Sequence, residues 1–204
     1  MTRRRPEISR ARTHVLPSGV EVWKPNAVEL AAAESRRLPD LIAPGLRVLF
    51  CGINPGLYSA ATGHHFARPG NRFWPALFAS GFTTRLLSPF EERELLAVGL
   101  GITNLAARTT ATADMLRPSE LASGAKILAR KVQRYAPAVL AMVGFTAYRV
   151  AFDEPKAQGG LQQRTLGVTR VWLLPNPSGL NAHHRPADLA RLFGDLREFA
   201  TTLS

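Results

Sequence analysis

The 204-residue chain has a single cysteine, Cys51, and only four lysines, Lys24, Lys126, Lys131 and Lys156. One cysteine excludes an internal disulfide, a four-cysteine zinc site and a cysteine-ligated iron–sulfur cluster. Acidic residues are also scarce: 15 stand against 26 Lys and Arg, and none lies between Asn54 and Phe90. No run of eighteen apolar residues occurs, so no helix is expected to span a membrane. The Arg-rich start from Met1 to Arg12 lacks the apolar segment of a signal peptide, and a cytoplasmic location is expected.

What is present suits one folded body. With 46% hydrophobic residues the chain can bury one substantial core, and its length predicts a single domain. The net charge is +11, and Leu41 to Ser204 alone holds eighteen Lys and Arg against ten Asp and Glu. A basic body favours a polyanionic partner, because each cation that neutralises a phosphate releases a counterion.

Residues 1–44, with scattered arginines and prolines, read as a loosely ordered basic extension with a short helix at 27–37, leaving 45–204 as the single folded domain. Leu46 to Cys51 reads as a buried strand. Helices are predicted at 71–80, 89–98, 121–135, 146–152 and 186–201, and strands at 102–105, 138–143 and 170–174. Ser88 with Glu91 fits a capping box, with Pro89 at the first helical position. Leu189, Leu192, Phe193, Leu196 and Phe199 form an apolar stripe facing the core. This alternation is that of an α/β fold with a mostly parallel sheet.

Two turns carry the chemistry. Gly52-Ile53-Asn54-Pro55-Gly56 follows the first strand, and Pro175-Asn176-Pro177-Ser178-Gly179 follows the last. Both fall at the carboxyl ends of strands, where open α/β sheets bind ligands. Residues 52–74 and the run Asn176-Pro177-Ser178-Gly179-Leu180-Asn181 together resemble the paired signature of the Mug and thymine-DNA glycosylase branch of the uracil-DNA glycosylase superfamily. The similarity runs from about Leu41 to the C-terminus.

The resemblance implies a three-layer αβα sandwich that needs no cofactor and acts, as a monomer, on double-stranded DNA containing a mismatched or damaged base. Asn54 would orient the attacking water. An amide is a weak base, so the sugar must become oxocarbenium-like while uracil leaves as an anion. Ile53 would offer its backbone to the base, Phe66 would stack on the flipped ring, and Asn176 would bind base or water. Ser59 would touch the base edge. Tyr58 stands where other members carry a small residue, near the pocket mouth. Leu180, between Gly179 and Asn181, would wedge into the duplex, with backbone groups from Ser178 onward facing the widowed guanine and Arg185 meeting a phosphate.

Asp114, after the Thr-rich loop 109–113, is the one acid expected near the same crevice, either assisting catalysis or capping its turn. His64 and His65 lack a third ligand nearby, so no metal is expected. No lysine lies in either motif to form a Schiff base, which predicts a monofunctional enzyme that leaves an intact abasic site. Two other readings remain open: a glycosylase for other deaminated or alkylated bases such as xanthine or ethenocytosine, and a mismatch-binding protein without catalysis.

Overall fold

The computed structural model describes residues 12–15, 19, 21–179 and 184–203. The chain opens with an antiparallel hairpin of β1 (Arg12–Val15) and β2 (Glu21–Lys24), followed by the short helix α1 (Ala27–Ala32). Residues 1–44 were expected to form a loosely ordered extension with a short helix at 27–37, and α1 with the 3₁₀ turn 33–35 occupies most of that span. The Asn26 side chain accepts the N–H groups of Val28 and Glu29 at 2.9 and 3.0 Å, and the Glu29 carboxylate accepts the Asn26 N–H at 2.8 Å. That reciprocal cap fixes α1. Trp23 and Leu30 then pack against Ala33 and against Ala60 and Ala61 of α2 (Leu57–Thr62), while Leu41 lies in the main core.

The remaining elements are β3 (Val48–Gly52), α3 (Phe73–Ala79), α4 (Glu94–Ala97), β4 (Leu100–Asn104), α5 (Pro118–Tyr135), β5 (Val139–Val143), α6 (Phe145–Ala151), β6 (Gly160–Leu166), β7 (Thr169–Leu174) and α7 (Pro186–Thr201). They build a five-stranded sheet in the order β4-β3-β5-β7-β6, parallel except for the antiparallel edge strand β6. The fold is α/β, as expected.

Strand alternation sorts the core into two layers. Val48 and Phe50 of β3 and Val139, Ala141 and Val143 of β5 face α3 and α7, where they meet Phe73, Leu77, Leu189, Phe193 and Leu196. Leu49, Cys51, Leu140 and Met142 point the other way, onto Leu121, Leu128 and Val132 of α5 and Tyr148 of α6. This double burial explains why β3 and β5 are apolar without interruption. α5 can approach the sheet closely only because Gly124 has no side chain: a Cβ there would lie 2.2 Å from the Leu105 carbonyl oxygen.

Several boundaries differ from those predicted. The helix expected from Asn71 starts at Phe73, because the Asn71 side chain accepts the Phe73 N–H at 2.9 Å. The span 89–98 divides into a single 3₁₀ turn at 89–91 and α4, although the Ser88–Glu91 box is present. α5 begins at Pro118, three residues early, and the strand at 102–105 runs instead from Leu100 to Asn104.

Candidate active site

β4 lies on one side of β3 and β5 on the other, so the chain reverses its winding there and opens a crevice at the strands' carboxyl ends. A cleft of about 1080 Å³ occupies it. Its walls come from the residues after β3 (Ile53 to Ser59), the loop holding His65 and Phe66, the ends of β4 and β5 (Asn104, Val143) and the start of α6 (Phe145). The segment after β7 (Pro175, Asn176, Ser178) completes them. The two Asn-Pro turns thus share one cavity.

Asn54 is held by three hydrogen bonds from one atom. Its Nδ2 donates to the Arg108 carbonyl at 2.9 Å, the Thr110 hydroxyl at 2.7 Å and the Pro55 carbonyl at 3.2 Å. Two of these acceptors are carbonyls, so the amide's orientation is decided by chemistry: nitrogen faces the loop and Oδ1 faces away from it. Among the described residues none donates to Oδ1. The Thr110 hydroxyl donates onward to the Thr112 carbonyl at 2.7 Å, which leaves its lone pairs for Asn54.

The loop behind these bonds is anchored in turn. Arg108 forms a forked pair with Glu120 at 2.6 and 2.9 Å and bonds the Met115 carbonyl at 2.7 Å, while the Thr109 hydroxyl donates to the Arg36 carbonyl at 2.7 Å. The Arg108 guanidinium pulls the Glu120 carboxyl down to about 2.

Phe66 supplies the aromatic face. Its backbone sits in the left-handed region at φ 52°, unusual for a bulky residue and a conformation that must be imposed by its surroundings. The Ala67 N–H donates to the buried Ser59 hydroxyl at 3.1 Å, which holds the turn in place. One face of the Phe66 ring stacks on Phe73 with centroids 4.0 Å apart. Beneath it, Gly52 is required by space: a Cβ would stand 2.7 Å from Asn104 Oδ1 and 3.2 Å from Phe66 Cζ.

Asn104 and His65 form a second polar group. His65 is 2% exposed. Its Nε2 bonds the Pro39 carbonyl at 3.0 Å and must carry the proton, so Nδ1 accepts from Asn104 Nδ2 at 3.4 Å. Burial lowers the imidazole's pKa, against the pull of Glu92, and keeps it neutral. His64 instead pairs with Glu92 at 3.1 Å and packs on Phe90.

Of the residues singled out from sequence, Ile53, Asn54, Tyr58, Ser59, Phe66, Asn176 and Ser178 line the cleft. The Ile53 carbonyl is engaged by the Ala106 N–H at 2.8 Å, so its N–H is the backbone group left to face a ligand. Burial raises the Tyr58 pKa, which keeps it a neutral hydroxyl. Asn176 Oδ1 accepts the Ser178 N–H at 3.0 Å, an Asx turn that shapes the second motif. Gly179 is exposed and presses on Gly70, and Arg185 is the exposed cap of α7. Leu180 and Asn181 lie outside the described residues. Asp114 does not reach the cleft. It sits exposed on the 3₁₀ turn 113–115, because the Arg108–Glu120 pair and the Thr110–Thr112 bond curl the loop so that 110–113 form the wall.

Sequence reasoning missed Asn104, Thr110, Arg68, His184 and the N-terminal wall of Lys24, Pro25, Leu30 and Leu38. The helix expected at 27–37 did not by itself point to the cleft, and Asn26 followed by Glu29 is the local signal that fixes its start. Among the described residues no Asp or Glu lines the cleft, whereas Lys24 and Arg68 do, so the field inside favours developing negative charge. Nor do the described residues contain a cluster of three potential metal ligands. A family model described as the uracil DNA glycosylase superfamily matches residues 39–197.

Proposed function

The chain belongs to the uracil DNA glycosylase superfamily, and from that premise we propose a monofunctional enzyme that excises uracil from DNA, preferentially from G·U pairs, during base excision repair. The observation that carries this reading is Asn54: three bonds lock its nitrogen to the protein and present Oδ1, an acceptor that can hold a water but not deprotonate it.

The reaction that suits such a site is dissociative. The C1′–N1 bond breaks with its electron pair passing to uracil, the sugar becomes an oxocarbenium ion, and the water held by Asn54 adds to C1′ and then loses its proton to solvent, from which the uracil anion takes one up. With no carboxylate among the described residues that line it, and with Lys24 and Arg68 on its walls, the cleft suits the departing anion. Phe66 stacks on the flipped base, and Asn104, fixed by neutral His65, offers its amide to the base edge.

Preference for G·U follows from the wobble pair being cheaper to open. The cleft volume of about 1080 Å³ is slightly above the range of ordinary ligand sites, roughly 300–1,000 Å³, and favours some tolerance of bulkier damaged bases as a second reading.

The test is single-turnover incubation with duplexes holding one G·U, A·U or G·T pair and with single-stranded uracil. Release of free uracil leaving a heat-labile abasic site, abolished in Asn54→Ala, is expected. Tight G·U binding with no release from any substrate refutes the enzyme reading and leaves a mismatch sensor. Because Lys24 reaches the cleft wall, borohydride is included: a trapped protein–DNA adduct lost in Lys24→Ala would refute monofunctionality.

A further inference from the structure

Part of the cleft wall comes from a segment that lies ahead of residues 39–197, the span shared with the superfamily. Lys24, Pro25, Leu30 and Leu38 all line the cavity. The unit that carries them is fastened along its length. Trp23 and Leu30 pack with Ala33 against Ala60 and Ala61 of α2, and Arg36 Nη1 donates to the Ala61 carbonyl at 3.2 Å. The Arg36 carbonyl accepts the hydroxyl of buried Thr109 at 2.7 Å. Just beyond Leu38, the Asp40 carboxylate accepts the Thr103 hydroxyl of β4 at 2.7 Å and pairs with Lys131 of α5 at 2.6 Å. Ordering costs conformational entropy at every residue, so attachment to four separate parts of the fold marks a built wall and not a loose tail.

Lys24 ends β2, and the buried Pro25 and the Asn26 cap of α1 follow it, so its backbone is held while its stem is free. The side chain is exposed and has no hydrogen-bond or ion-pair partner among the described residues. An ammonium of this kind is a hydrated point charge that suits an equally hydrated anion. A nucleotide whose base enters the cleft brings its phosphates to the mouth, where an exposed wall residue meets them. A phosphodiester carries its charge throughout the reaction, whereas the base becomes an anion only as its bond breaks. We propose that Lys24 binds a phosphodiester of the strand carrying the flipped nucleotide, which makes the N-terminal unit 21–38 part of the substrate site. This rests on the glycosylase reading above.

Lys24→Ala and Lys24→Arg test this against the wild-type chain. Affinity is read on a duplex holding 2′-fluoro-2′-deoxyuridine opposite guanine, whose fluorine disfavours the oxocarbenium ion and keeps the substrate uncut. Lys24→Ala is expected to bind about three- to tenfold more weakly at low salt, with the salt slope of log K reduced by about one ion. Lys24→Arg retains most of the affinity, since it keeps the charge. A neutral methylphosphonate then replaces, one at a time, each phosphate flanking the uridine on its strand. At the contacted position it weakens the wild type by that same factor and Lys24→Ala by less than about twofold. Unchanged affinity in Lys24→Ala, or a methylphosphonate penalty equal in both chains at every position, would overturn the proposal.

A loss confined to the excision rate at saturating enzyme, with affinity intact, would assign Lys24 to the departing base and also overturn the phosphate contact. Because its side chain is exposed, Lys24→Ala is expected to melt with the wild type, so a lost affinity reports the contact and not the fold. If the wild-type chain releases uracil from nothing, the glycosylase reading has failed. The affinities for the uncut duplex and its methylphosphonate forms still decide whether Lys24 meets a phosphate.

Discussion

Replacing Thr110 by Val isolates what holds Asn54. Valine keeps the shape of a side chain that is 1% exposed and removes only the hydroxyl, which both accepts from Asn54 Nδ2 at 2.7 Å and donates to the Thr112 carbonyl at 2.7 Å. Asn54 retains the Arg108 and Pro55 carbonyls at 2.9 and 3.2 Å, so the amide is loosened rather than released. Thr112 is exposed and its carbonyl can turn to water. The loss in stability is therefore that of one neutral hydrogen bond, ~1 kcal/mol, or a fall in Tm of about 2–4 °C. The effect on rate is larger, because a small misplacement of a water-orienting group costs up to ~100-fold. We expect single-turnover excision to drop ~10- to 100-fold, equivalent to about 1.4–2.7 kcal/mol in the barrier. Thr110→Ser, which restores the hydroxyl, retains most of the activity. A valine variant within about twofold of wild type, or a serine variant as slow as valine, would refute the reasoning.

Four further outcomes are expected. Asn54→Asp puts carboxylate oxygens against the Arg108 and Pro55 carbonyls, so it should lose both excision and thermal stability instead of gaining a base, which parallel rate and melting measurements would show. Gly52→Ala must displace Asn104 Oδ1 and Phe66 Cζ, destabilising by ~1–3 kcal/mol in denaturant titration and slowing excision together. Arg68→Ala, if Arg68 meets a phosphate, should weaken binding alike for all sequences and reduce the salt slope of log K by about one ion.

His65 sets the fourth. Its folded pKa lies below the ordinary 6.5, so the unfolded chain takes up a proton there that the folded one refuses. Its stability contribution is therefore complete above about pH 6.5 and declines below it, by up to ~1.4 kcal/mol per pH unit. Glu92, Asp40 and His64 also act on this ring. A Tm–pH profile between pH 5 and 8 whose slope is unaltered in His65→Gln would exclude His65 as its source.

How much of this was legible in the sequence depended on where the deciding signal lay. β3, β5 and β7 were readable because burial demands apolar runs. β6 was not, since its one buried residue is Gln162, whose amide turns back onto the Gln158 and Gly160 carbonyls at 2.7 Å. α2, six residues after a Pro-Gly turn, exists by packing on α1 and the loop at Phe66, which no local pattern reports. Asn54 and Phe66 were readable because their motif is contiguous. Thr110 and Asn104 become part of the site only once folding brings β4 and its loop against β3. Asp114 was misplaced for the same reason: proximity in sequence to a crevice does not fix which side of a turn faces it.

Both rims of the sheet are managed in ways that bear on how copies of the chain meet. On β4, Leu41 exchanges two 2.8 Å backbone bonds with Ile102, occupying the groups another strand would seek. On β6, the register slips between Leu161 and Thr165, Gln163 is exposed, and Arg164 pairs with Glu154 over the Phe152 ring. A flat, continuous, apolar margin is what templates strand addition between molecules, and neither rim offers one. The sheet that frames the cleft is thereby a poor template for strand addition between molecules.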